Sequence, residues 1–284
     1  MKMKKYFHLI RVRQWYKNLL VFLALFFSGN LLNLHLLEQT TLAFFSLSFI
    51  SSAGYIINDL KDIVEDRNHP ERKLRPLASG EIGKWMALLL IVLLLSGGGF
   101  LAFSLGKNFL VMGGLFLLLS LLYTFVLKRI IFADVLTIAT LFVMRAIGGA
   151  VAIQVVVSPW LILVPFFLSL YLSAGKRHSE LHLLQGKAGE TKKVLKEYTP
   201  EVTNALMIIS TTLLIVSYAL YSFLSEHSLL IVTLPFALYT IFRYHYLIMN
   251  GSVVGRNPEK IIKDQSMMLG IALWLVVAGL IIYY

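Results

Sequence analysis

Apolar residues run along the chain in nine stretches, at roughly 19–41, 42–57, 85–105, 109–127, 135–153, 159–175, 204–224, 229–248 and 267–284. Each is near the ~20 residues that an α-helix needs to span a bilayer. Short polar segments separate them, so the pattern predicts an all-α polytopic membrane protein of nine transmembrane helices. No separate soluble domain fits between the spans, and residues 1–284 are expected to form a single transmembrane domain. The first apolar run has no small-residue cleavage site and eight similar segments follow it, so a secretory signal is not expected.

Composition agrees with that class: 58% of residues are hydrophobic and 14% charged, with a mean hydropathy of +0.76, well outside soluble globular usage. The chain has no cysteine, which excludes disulfides and thiolate ligands or nucleophiles and says little about compartment. A net charge of +11 could suggest nucleic acid, but the placement of the charge argues otherwise. With the N-terminal "MKMKKYFHLIRVRQWYK" on the cytoplasmic side, all but Lys107, Arg145 and Arg243 of the 26 Lys and Arg residues fall on that side. Topology alone accounts for such a bias, and no nucleic-acid partner is needed. Of the 15 acidic residues, all but Glu38 and Glu226 lie on the same face. Orientation rules do not require that, because Asp and Glu contribute little to them. A cytoplasm-facing polar cavity enclosed by the helices does require it.

The densest charged stretch, "YIINDLKDIVEDRNHPERKLRPLASG" at 55–80, follows the second apolar run. At about 100° per residue, Asp59, Asp62 and Asp66 fall within roughly 60° of one another, with Asn58 close to Asp62. Carboxylates on one helix face repel unless a cation screens them, and hard oxygen ligands suit Mg²⁺. Magnesium usually takes one or two carboxylates plus substrate phosphates, so the expected ligand is a diphosphate carried by its metal. The alternative is a solvated helix end with Asp62 and Glu65 paired to Lys61 and Arg67. The helix is expected to stop at Pro70 and to be followed by a loop presenting Arg72, Lys73 and Arg75 to phosphate.

Three further inner loops bring polar groups to the same rim. They are "LKRIIFAD" with Lys128 and Asp134, "GKRHSE" with Lys176, Arg177 and Glu180, and "GRNPEKIIKDQS" with Arg256. Lys176 and Glu180 at i, i+4 also fit a plain surface pair. Arg145 lies about 16 Å along its helix from Asp134 at 1.5 Å per residue, inside the hydrocarbon depth. An intramembrane Arg faces the bundle interior, to meet an anionic head group or to make an interhelical polar bond. Arg243, nearer the rim, could snorkel.

"NDLKDIVEDRNHP" matches the N-D-x-x-D-x-x-x-D motif and resembles the UbiA-type polyprenyl transferase superfamily, whose members are nine-helix intramembrane enzymes using Mg²⁺ and a diphosphate substrate. Ordinary members carry a second D-x-x-x-D after the sixth span, where this chain has "KRHSE". Together with "RVRQWYKN", "LKRIIFADV", "VMRAIGGAVA", "SPWL", "GKRHSEL" and "NPEKIIKD", the pattern resembles the decaprenyl-phosphate phosphoribosyltransferase branch over nearly the whole chain. That resemblance implies transfer of 5-phosphoribose from phosphoribosyl diphosphate to a polyprenyl phosphate. It gives Asn58, Asp59, Asp62 and Asp66 the metal. It makes Lys17, Arg72, Lys73, Arg75, Lys128, Asp134, Lys176, Arg177 and Arg256 candidates at the substrate, with Glu180 on a ribose hydroxyl and Tyr123 and Arg145 along the route to the lipid head group. Two other readings stand beside it. One is a prenyltransferase acting on an aromatic or glycerol-phosphate acceptor, and the other is a non-enzymatic lipid transporter, which would place its polar residues near the midplane. Oligomeric state is not legible in the chain.

Overall fold

In the computed structural model, which describes residues 2–68, 71–184 and 193–284, the chain is helical throughout, with no strand among the described residues. The helices are α1 (Lys2–Leu9), α2 (Phe22–Phe27), α3 (Leu34–Lys61), α4 (Ile63–Arg67), α5 (Lys84–Ser104), α6 (Lys107–Phe125), α7 (Ala133–Ala152), α8 (Pro159–Leu184), α9 (Pro200–Leu224), α10 (Leu234–Met249), α11 (Val253–Arg256) and α12 (Gln265–Tyr283). Eight helical segments among the described residues are long and apolar enough to cross a membrane, which makes this a multi-pass membrane protein.

The first two predicted spans differ from what forms. The expected break near residue 41 does not occur, and α3 runs unbroken from Leu34 to Lys61. At that point Thr40 and Thr41 donate their hydroxyls to Leu36 O and Leu37 O, each at 2.8 Å, so they are satisfied inside the helix. The break lies earlier, where Gly29 takes a positive φ of 71° and the Asn33 side chain caps α3 by accepting from His35 N and Leu36 N. Such a cap is a strong helix start. Before it, a 3₁₀ segment (Val12–Val21) leads into α2. This segment runs antiparallel to α3, from the Ile10 carbonyl, which accepts from Ser52 Oγ, to Leu25, packed beside Leu36 and Leu37. That is about 24 Å of α3 at 1.5 Å per residue.

α3 and α7 are the central helices. Of their most apolar stretches 61% and 67% are buried, against 22% for α5, α6 and α12, whose outward leucines and phenylalanines only lipid would cover. Small residues let the central helices pack closely: Ser46 Oγ donates to Gly98 O at 2.8 Å, and Gly149 of α7 sits directly against the Val21 carbonyl. Beyond α7 the chain passes through α8 and α9 to α10 and α12. The last helix then meets the first segment, with Tyr283 Oη donating to Phe26 O and accepting from Leu31 N, so the ring of helices closes.

Arg243, near the rim, extends its side chain to the connection before α12. It makes a forked pair with Asp264, with Nη2 at 2.8 Å and Nε at 3.2 Å, and Asp264 also caps α12 through Met267 N. The hydrogen bond from Arg243 holds the Asp264 carboxyl below its ordinary pKa. Asp264→Ala is expected to lower stability by about 1 kcal/mol from the lost cap alone, read as a lower unfolding midpoint in detergent, while Lys260→Ala in the same connection leaves the midpoint unchanged.

Candidate active site

At one end of the bundle α3 stops at Lys61, and Asp62 (φ −98°, ψ 10°) links it to the short α4. The bend is slight, since Asp66 N still donates to Asp62 O at 2.8 Å. The expected stop at Pro70 lies outside the described residues. The predicted carboxylate face forms but divides into two groups. Asp59 and Asp66, 3% and 1% exposed, converge on Arg75, whose Nη1 donates to Asp59 Oδ1 at 3.0 Å and to Asp66 Oδ2 at 2.7 Å. Asn58 and Asp62 instead share Lys128, with Nζ 3.1 Å from Asn58 Oδ1 and 2.6 Å from Asp62 Oδ1. Carboxylate repulsion is thus relieved by cations that arrive from three other parts of the chain. The third is Arg11, which donates to Asp59 Oδ1. The Lys61 and Arg67 pairings do not form: Glu65 faces Arg129 at 3.9 Å, and Arg67 Nε donates to Ala78 O.

Arg11 was not singled out in the sequence. It stands in the left-handed region (φ 53°, ψ 47°) between α1 and the 3₁₀ segment, a strained state for a residue with a Cβ. That turn aims its guanidinium over the Tyr55 ring, 5.0 Å from the centroid, and at Asp59.

The "GKRHSE" residues are not a loop. They form the last turns of α8, which continues to Leu184. There Arg177, not Lys176, pairs with Glu180 at 2.9 Å and with Asp134 Oδ2 at 2.9 Å. Asp134 is fully buried, and its other oxygen accepts from Tyr198 Oη at 2.7 Å. Both of its oxygens are thus engaged within the protein, and one of them orients Arg177. The Tyr198 hydroxyl also accepts from Phe132 N, and Phe132 has a positive φ of 64°, so this phenol secures a strained turn. Burial, with Asp134 adding to it, pushes the Tyr198 phenol up, which keeps it a donor. Tyr123 lies within electrostatic reach of Arg177, Asp134 and Glu180.

The remaining predicted residues distribute unevenly. Arg72 is within electrostatic reach of Asp66, Glu180 and Arg177 and so joins the two groups of the rim. Arg256 meets Glu71 at 3.7 Å and ties the connection before α12 to the stretch after α4. Lys73 is exposed and joins none of these pairs. Lys17 and Lys176 lie within electrostatic reach of each other and of Tyr55. Arg145 is 4% exposed and donates to Asn18 Oδ1 at 2.7 Å, the interhelical polar bond that its depth allowed. Tyr198, Tyr55 and Asn18 carry no local sequence signal, since each owes its place to a partner more than 25 residues away. Only "RVRQWYKN", polar residues set into an apolar entry, could have pointed to Arg11 and Asn18.

Among the described residues no three carboxylates or imidazoles converge on a site that could hold a metal without other ligands. The donor chemistry still suits a hard cation. All four groups offer oxygen, and Asp66 Oδ1 is buried with no hydrogen-bond partner, with burial pushing its carboxyl up against the pull of Arg75. Arg72 Nη1 faces that oxygen from 3.9 Å, beyond hydrogen-bond reach, so the oxygen keeps the capacity to take a closer cation.

A model of the UbiA prenyltransferase family matches residues 18–254. The chain belongs to that family. A relative from Mycolicibacterium smegmatis named decaprenyl-phosphate phosphoribosyltransferase is 31% identical, covering 97% of this chain and 91% of that protein. A protein of the same name from Corynebacterium glutamicum is 33% identical over 77% of this chain and 68% of its own length. Among solved structures, a UbiA homolog from Archaeoglobus fulgidus bound to GPP and Mg²⁺ superposes with a TM-score of 0.74 at 21% identity, covering 98% of this chain and 99% of the other. The UbiA fold is therefore common to both.

Proposed function

We propose that this UbiA chain transfers 5-phosphoribose from 5-phosphoribosyl 1-diphosphate to a polyprenyl phosphate and releases diphosphate. The observation that carries the reading is the near-full-length similarity to proteins named for that reaction. It is supported by a rim in which Lys176 and Arg177 stand where the resemblance leads one to expect a second aspartate motif. A donor with a 5-phosphate favours basic residues there over further carboxylates. The carboxylate rim faces the cytoplasm of a cell-membrane protein, and the Val12–Phe27 segment is its ninth crossing, within a single domain. A 3₁₀ rise of ~2.0 Å over ten residues and an α rise of 1.5 Å over six give about 29 Å, the thickness of a hydrocarbon core.

In the reaction the ribose C1–O bond breaks with its electron pair leaving on the diphosphate. A lipid phosphate oxygen forms the new bond to C1 from the opposite side, giving a β-linked product. That oxygen is already anionic near neutral pH, so no strong general base is required. Arg11, Arg72, Arg75 and Lys128 surround the leaving group, where preorganised positive charge counts most as negative charge develops. Magnesium, held by Asn58, Asp59, Asp62 and Asp66, would supply neutralisation of the departing diphosphate. Arg177, fixed by Asp134, keeps Glu180 in place to accept a ribose hydroxyl.

The test is an assay of the detergent-purified chain with labelled phosphoribosyl diphosphate, Mg²⁺ and a polyprenyl phosphate. Label is expected to enter the lipid-extractable product, and EDTA is expected to cut the rate to about 1% or less, as loss of several kcal/mol of charge stabilisation requires. Transfer from a labelled prenyl diphosphate to an aromatic acceptor, with none from the sugar donor, would reassign the chain to prenyl transfer.

A further inference from the structure

The last turns of α8 carry a second set of polar groups, on the face away from the rim. At about 100° per residue, His178 and His182 lie on one side of the helix, and Arg177 and Glu180 are centred roughly 150° round from them. The two imidazoles therefore take no part in the carboxylate and cation pairs at the rim. His178 is 4% exposed, whereas His182 is open to the surface. Their Nε2 atoms face each other at 3.1 Å, with ring centroids 4.6 Å apart and the rings tilted by 60°.

The far side of His178 is fixed. Its Nδ1 lies 3.0 Å from Oγ1 of Thr203, a fully buried residue in the first turn of α9. The Thr203 hydroxyl directs its one proton at the carbonyls of Thr199 and Pro200, at 3.1 and 3.0 Å, so toward His178 it accepts. That puts the His178 proton on Nδ1 and leaves Nε2 with a lone pair aimed along α8 at His182. One electrophile fits between the two Nε2 atoms. A proton on His182 fills the gap when nothing else is bound, as an N–H···N bond. A metal ion fits equally well, because with N–metal distances of about 2.0–2.1 Å a separation of 3.1 Å gives an N–metal–N angle of about 98°, between the octahedral and tetrahedral values. The bond from Nδ1–H to a fixed acceptor is the outer contact that metal-bound histidines ordinarily make.

Imidazole suits Zn²⁺, Cu²⁺ and Ni²⁺, whereas Mg²⁺ prefers oxygen. Among the described residues no third imidazole or carboxylate joins the pair, so water would complete the coordination shell. We propose that His178 and His182 form a two-imidazole site for a borderline transition-metal cation such as Zn²⁺, separate from the carboxylate rim, that clasps the end of α8 and through Thr203 braces it against α9. When the metal enters, the proton on His182 Nε2 moves to its own Nδ1, and no other bond changes. The site does not depend on the functional reading above.

The test is equilibrium dialysis of the full-length, untagged chain in detergent against radiolabelled Zn²⁺ at neutral pH, with Mg²⁺ in large excess to supply the oxygen ligands of the rim. One zinc per chain is expected, with a Kd between about 1 and 200 µM, as half the ligand set of a four-ligand structural zinc site gives. His182→Gln changes an exposed side chain, so the fold is retained, and it is expected to weaken that binding by at least about tenfold. His35→Gln, at the start of α3, is expected to leave it unchanged. Zinc is also expected to raise the unfolding midpoint of the wild type and not that of His182→Gln. Equal zinc binding by the wild type and His182→Gln, or no binding by the wild type below about 1 mM, overturns the site and leaves the imidazoles as a hydrogen-bonded pair. Zinc bound at His182 with no rise in the midpoint overturns the clasp.

Discussion

Asp59→Asn is expected to reduce kcat/KM for phosphoribosyl transfer by about a thousandfold, close to 4 kcal/mol at 1.36 kcal/mol per tenfold, the upper range for losing one preorganised electrostatic group. The substitution keeps shape and removes charge. Both Arg11 and Arg75 donate to the same oxygen, Asp59 Oδ1, so the other oxygen is left for substrate or metal, and an amide at this position would present a donor or a weaker acceptor. Arg75 retains Asp66 as a partner, whereas Arg11 loses its only ion pair among the described residues. Some loss of stability is therefore expected as well, and the unfolding midpoint must be measured beside the rate. Lys73→Gln is the matched control. It removes a charge from the same stretch, but an exposed one outside every pair described, and is expected to change the rate by less than about threefold. Retention of a tenth of wild-type activity by Asp59→Asn in a folded protein would take this carboxylate out of the chemistry.

The sequence made the membrane class and most spans legible because lipid imposes a simple demand: each crossing needs about twenty apolar residues whatever its neighbours are. Boundaries were less secure where a polar residue could be satisfied within its own helix, as Thr40 and Thr41 are, or where helix continued under charge, as α8 does through Lys176, Arg177 and Glu180. Hydropathy could not distinguish either case from a loop. The aspartate motif placed Asp59, Asp62 and Asp66 on one helix face, because that face is set by local geometry. It could not show that Arg75 would bridge two of them and Lys128 take the third, or that Arg11 would reach Asp59 from 48 residues away. Nor could the sequence show that Asp134, expected at the rim, would be completely buried with its two oxygens on Arg177 and Tyr198.

Gly149→Ala is expected to be among the most damaging single substitutions in the protein, although it adds one methyl group to a helix. A Cβ at this position would lie 1.9 Å from the Val21 carbonyl oxygen and 2.8 Å from its carbonyl carbon. An ordinary C···O contact is about 3.3 Å, so one backbone must retreat by roughly 1.4 Å, and neither belongs to a flexible side chain. The displaced element would be the 3₁₀ segment, since α7 is held on its other faces by α6 and α8. One turn earlier in that segment Asn18 accepts from Arg145 at 2.7 Å, and a retreat of that size would break the bond and move Lys17 with it. The cost should reach or exceed the top of the ~1–3 kcal/mol usual for overpacking. Gly114→Ala gives the comparison: nothing lies within 4 Å of a Cβ there, and replacing a helical glycine by alanine is expected to be neutral or to stabilise by up to ~1 kcal/mol. Equal unfolding midpoints for the two variants would mean that the 3₁₀ segment does not pack against α7 as described, and the bond from Arg145 to Asn18 would lose its basis with it.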